Sequence, residues 1–155
     1  MTIDSYGPGE CTDMAKATIN CEDIDCSGLF HDWSWLVPTS HTPLMVGHFG
    51  DTVFAAPDGS LSLLSTLDGE YERIARTGAE FNRLKGDPEN VDSWFQWGWA
   101  NIALQSGIVP KDDECLGWKI APILGGQFGV DEIMTFPRRA YLSIQGQLHR
   151  QIRGQ

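Results

Sequence analysis

The sequence predicts an α+β domain: an antiparallel meander of about four to six strands, helices mainly on one face, and a C-terminal helix closing the core. Three observations carry this expectation. Between residues 44 and 76, short apolar runs alternate with turn residues. From Thr77 to Gln105, apolar residues recur at helical spacing. After Pro137 the helical period returns and runs almost to the end of the chain.

The meander is read as strands over 44–49, 52–56, 60–66 and 70–76. Gly50-Asp51, then Pro57-Asp58-Gly59, then Asp68-Gly69 supply the short connections that join antiparallel neighbours. Ahead of it, 28–37 (GLFHDWSWLV) places Leu29, Trp33 and Leu36 on one short helical face, ended by Pro38. Residues 1–27 are polar, acidic and weakly periodic, so they are read as an N-terminal arm on a single domain spanning 28–155.

After the meander, residues 77–85 form a short helix stopped by Gly86. Asp87-Pro88 opens a second one running to about Gln105. Its many aromatics, Trp94, Phe95, Trp97 and Trp99, are read as core. A base-stacking platform would need lysines and arginines among them. Residues 116–121 and 130–136 read as two further strands around the Gly125-Gly126 loop. On the last helix Tyr141, Ile144, Leu148 and Ile152 fall at i, i+3, i+7 and i+11, and Tyr141, Ile144 and Leu148 are expected to be buried. Gly146 costs that helix about 1 kcal/mol against Ala, which points to close approach by another backbone.

At 155 residues, 41% hydrophobic and 21% charged, the chain is long enough for one globular core, and its composition argues against wholesale disorder. No apolar run approaches the roughly 20 residues of a membrane span. No basic-then-apolar leader opens the chain, so a cytoplasmic protein with reduced cysteines is expected. Cys21, Cys26 and His31 are too loosely spaced for a zinc site, and no metal or cofactor is expected.

Charge is distributed unevenly. Residues 1–72 hold twelve acids and a single base, Lys16, for a net −11, while 73–155 carry +1. Such a field repels nucleic acid and anionic membranes and favours basic partners. Phosphate-binding, nucleophile-elbow and zinc-protease motifs are all missing, and no residues present nucleophile, base and oxyanion donor together.

Several strings occur here in an order that resembles a known family: WSWLVPTSHTPLMVGHFGDTVFAAPDG, DPENVDSWF, GWKIAPILGGQFGVDEI and SIQGQLHRQI. Across roughly residues 28–153 the chain resembles the C-terminal domain of type VI secretion DNase-immunity proteins, long catalogued as of unknown function and often attached to a GAD-like domain. The resemblance implies a non-enzymatic inhibitor of a secreted toxin, a nuclease with a basic cleft. It brings no catalytic residues with it. The acids Asp51, Asp58, Asp68, Glu70 and Glu72, on loop tips and a strand, are the candidate partner contacts. Two other readings stay open: a generic protein-interaction module, and a small-molecule or enzymatic pocket formed by Trp118, Gly125, Gly126, Gln147 and His149.

Overall fold

The computed structural model describes residues 14–154. Its centre is a five-stranded antiparallel sheet in sequence order: β1 (Thr18–Asn20), β2 (Thr42–Gly47), β3 (Thr52–Ala55), β4 (Leu61–Ser65) and β5 (Glu70–Ala75). Four of these strands are the meander expected from the turn chemistry. The fifth, β1, lies inside the segment read as an arm. Three residues are too few to show a period, but Thr18, Ile19 and Asn20 pair with Gly47, Val46 and Met45. Met14 and Ala17, just before them, are core residues.

Both faces of the sheet are covered. On one, Val53, Leu61 and Ala75 pack against Phe81 of α1 (Gly78–Leu84) and against Val91, Trp94 and Phe95 of α2 (Pro88–Phe95). Thr77 caps α1 and Asp87 caps α2, each side chain accepting from a backbone N–H of the first turn. On the other face, Phe54 and Leu64 meet Trp33 and Val37. Trp33 lies in a single tight turn, His31–Trp33, shorter than the helical face expected over 28–37.

The helix expected to run unbroken from 87 to 105 is two. Gln96 adopts a left-handed conformation, φ 54°, between α2 and α3 (Trp97–Gln105). The break has a local support: the Asp92 carboxylate accepts from the Gly98 N–H at 2.6 Å, capping α3 from the preceding helix. Packed on α3 is a two-stranded antiparallel ribbon, β6 (Glu114–Trp118) with β7 (Ile133–Pro137). The Leu116 N–H donates to the His48 carbonyl and ties the ribbon to the main sheet.

The closing helix α4 (Arg138–Arg153) lies across the Trp33 turn. Trp33 and Trp35 donate their indole N–H groups to the Leu142 and Gly146 carbonyls. Gly146 is required there, because a Cβ would sit 2.6 Å from the Asp32 carbonyl oxygen. The buried face of this helix differs from the expected stripe. Tyr141 is buried, but Ile144 is 59% exposed and Leu148 only half-buried. Leu142, Gln145, Gly146 and His149 take the inner positions. Hydropathy misses this face because two of its residues are polar.

Leu142 is fully buried, and its side chain lies against Gly50, where a Cβ would come within 2.8 Å. Leu142→Ala should therefore cost about 2–5 kcal/mol in chemical denaturation. Ile144→Ala should cost less than about 1 kcal/mol. The opposite ranking would mean that the helix is rotated about its axis.

Candidate functional site

The five candidate acids separate once the strands are in place. In a meander the β2–β3 and β4–β5 turns share one end of the sheet, and the β3–β4 turn lies at the other. Asp51 and Asp68 are thus at one end and Asp58 at the far end. Asp58 is bound locally: it accepts from the Ser60 N–H at 2.9 Å and the Ser60 hydroxyl at 2.7 Å. Those bonds hold its carboxyl below the usual carboxylate range.

Asp51 is only 1% exposed, which corrects its reading as a loop-tip contact. One carboxylate oxygen accepts from the Thr66 N–H at 2.8 Å and the Thr66 hydroxyl at 2.9 Å. The other accepts from the Gln96 side-chain amide at 2.8 Å. The Gln96 carbonyl oxygen in turn accepts from the Trp118 indole at 3.1 Å. His149 meets the Thr66 carbonyl at 2.9 Å through Nε2. Asp51 thus joins two turns of the sheet, the α2–α3 break, the ribbon and the closing helix. Burial pushes its carboxyl up to about 6, against the opposing pull of the Gln96 and Thr66 bonds.

This network also corrects the alternative pocket. Trp118 and His149 are buried, with the Trp118 Nε1 committed to Gln96 and the His149 Nε2 to Thr66. A Cβ at Gly69 would overlap the His149 ring, so that histidine sits on the turn backbone rather than facing a ligand. Gly125 takes φ 95° to end the turn at Pro122–Leu124, and a Cβ at Gly126 would overlap the Ile120 carbonyl. The glycine pair folds its own loop. Gln147 points away on the outer surface and donates to the Ser143 hydroxyl.

Asp68, Glu70 and Glu72 do converge. They line one shallow groove of about 200 Å³ with Leu63, Ser65, Ile74, Ser93 and Trp94. Strand alternation sets this up: Glu70, Glu72 and Ile74 share one face of β5, and register places Leu63 opposite Glu72 and Ser65 opposite Glu70. The inner part of that face is covered by α1 and α2, and the outer part, with its acids, is open. Nothing in the sequence marked Leu63 or Trp94 as neighbours of these acids, because they meet only through the β4–β5 register and the docking of α2. A second cleft, of about 400 Å³, is lined by Asp23, Asp25, Asp112 and Asp113 beside Arg138 and Arg139. Both arginines are engaged there: Arg138 donates to the Asp112 and Glu114 carbonyls, and Arg139 to the Ser27 and Asp25 carbonyls.

Among the described residues, no group of three His, Cys, Asp or Glu side chains could hold a metal ion. Cys21, Cys26 and Cys115 are free thiols, and Cys11 lies outside the described residues. No helix among the described residues is long and apolar enough to cross a membrane.

Residues 75–149 match the family described as T6SS immunity protein Tdi1, C-terminal, which is the type VI secretion immunity family that the sequence strings resemble. Among solved structures, Atu4351 from Agrobacterium tumefaciens is similar at a TM-score of 0.62 and 14% identity. The alignment covers 84% of this chain and 66% of that one. At such identity the likeness concerns the fold. No curated protein matches the sequence. The groove straddles the edge of the matched segment: Ser93 and Trp94 fall inside it, and the three acids precede it.

The buried Asp51 has a pH signature. Its folded-state value of about 6 lies above the ordinary 3.8, so its contribution to stability is fully present below about pH 4 and is lost as pH rises through 6. That loss is on the order of 3 kcal/mol. The groups facing it are Asp68, Cys115 and Tyr141. Burial lowers His149 and His48, and their contributions run the other way, falling as pH drops below about 6.5. Comparing wild type with Asp51→Asn at each pH cancels the histidines. Wild type should gain on the variant between pH 7 and pH 4 in urea unfolding, whereas a constant difference would mean that Asp51 does not titrate in the fold.

Proposed function

We infer, from the match of residues 75–149 to the type VI secretion immunity family, that this protein neutralises a secreted toxin by binding it. In this reading it performs no chemistry of its own and acts in the cytoplasm of the cell it protects. The partner is a basic protein, a nuclease whose cleft must attract phosphates and is therefore complementary to an acidic surface. The observation that supports this surface is the convergence of Asp68, Glu70 and Glu72 in one open groove on a half-chain of charge −11. Occluding a cleft by charge requires carboxylates that are exposed and mutually close. Asp51 is buried and Asp58 lies at the other end of the sheet, so neither belongs to this contact.

Co-expression with a candidate toxin from a neighbouring gene provides the test. Wild type should restore growth and form a complex at micromolar concentration or tighter. The triple variant Asp68→Asn, Glu70→Gln, Glu72→Gln should associate roughly tenfold more slowly and show a flatter dependence on salt, with its unfolding curve unchanged. Cells left unprotected by wild type, together with no complex, would overturn the immunity reading.

A further inference from the structure

We propose that the groove between β5 and α2 is a socket for one arginine side chain of the basic partner. This rests on the immunity reading and narrows it from a charged surface to a single contact. The volume, about 200 Å³, is below that of ordinary small-molecule pockets and suits one long side chain.

Its lining has two chemistries. Leu63, Ile74 and Trp94 contribute a small apolar floor, and Asp68, Glu70 and Glu72 the larger, polar part of the wall. Trp94 is buried and held by stacking on Phe81 at 5.7 Å between centroids, so the floor is preformed. Among the described residues, none of those lining the groove is basic, and Arg153 approaches only the Glu70 carboxylate at its edge. An arginine meets both halves: its methylenes cover the floor while the guanidinium stays at the rim. Glu70 and Glu72 are alternate residues on one strand face, about 7 Å apart. A planar fork of five N–H donors can span two carboxylates, whereas a lysine ammonium is a strongly hydrated point charge.

The protein's own Arg153 already reaches this rim. Its guanidinium lies 3.9 Å from a Glu70 oxygen, beyond hydrogen-bond distance, and both side chains are largely exposed. Glu70 is therefore positioned for a guanidinium but held only loosely by this one. An incoming arginine would replace Arg153 at Glu70.

The probes are N-acetyl-arginine amide and its lysine counterpart, titrated into the isotopically labelled protein and followed by NMR. Saturable shifts should map to the Trp94 indole and to residues around Ser93, Glu70 and Glu72. The arginine probe should bind at least about threefold more tightly than lysine. Arg153→Ala should tighten it further, and Glu70→Gln with Glu72→Gln should abolish the shifts. Equal binding of the two probes, shifts centred elsewhere, or no shifts would each overturn the socket. These outcomes do not depend on the toxin. If wild type protects cells and the Glu70→Gln, Glu72→Gln variant protects and binds equally well, the socket falls and the immunity reading stands. If wild type neither protects nor binds, the immunity reading falls, and the probe titration still decides whether the groove accepts arginine.

Discussion

A carboxylate buried at the end of a sheet needs several donors, and Asp51 has three: the Thr66 N–H, the Thr66 hydroxyl and the Gln96 amide. Those donors come from separate parts of the chain, so satisfying one charge fixes their relative positions. Thr66 brings the β4–β5 turn and, through its carbonyl, His149 of α4. Gln96 brings the α2–α3 break and, through its own carbonyl, Trp118 of β6. Removing a single partner would leave a buried polar group unsatisfied, which usually costs more than the hydrogen bond contributed. The network therefore does more to specify the arrangement than to stabilise it, since burial itself makes the ionised form costly.

That arrangement shapes the groove. Asp68 lies two residues beyond Thr66, on the turn that Asp51 anchors, and Glu70 and Glu72 follow on β5. Trp94 and Ser93 lie just before Gln96 on α2, at the same anchor. The acids and the apolar floor thus hang from opposite ends of one buried interaction. In the proposed role this matters because a preformed contact surface loses less entropy on binding than one that must be ordered.

The meander was legible in the sequence because its turns use residues with specific conformational chemistry, and the cap at Asp87 was legible for the same reason. Gly146 announced a close approach by its cost to a helix, and the Asp32 carbonyl is what approaches. Other features depend on long-range contacts that hydropathy does not encode. Ile144 looked like core because it is apolar, while Gln145 and His149, one position on, are the residues buried. A turn aspartate reads the same whether it faces solvent, as Asp58 does, or the core, as Asp51 does. The break at Gln96 follows from tertiary bonds through its side chain rather than from a helix-breaking residue. The grouping of Asp68, Glu70 and Glu72 was partly visible as strand alternation, but their floor was not, since Leu63 and Trp94 reach it from other elements.

Hydrogen–deuterium exchange on the complex with the proposed toxin partner tests most directly whether this groove is the contact. Slowed exchange at residues 63–74 and 93–94, with residues 57–59 and the exposed 120–128 loop unchanged, is the expected result. Protection centred on that loop, where Ile120, Leu124 and Phe128 are exposed, would contradict docking at the acidic groove.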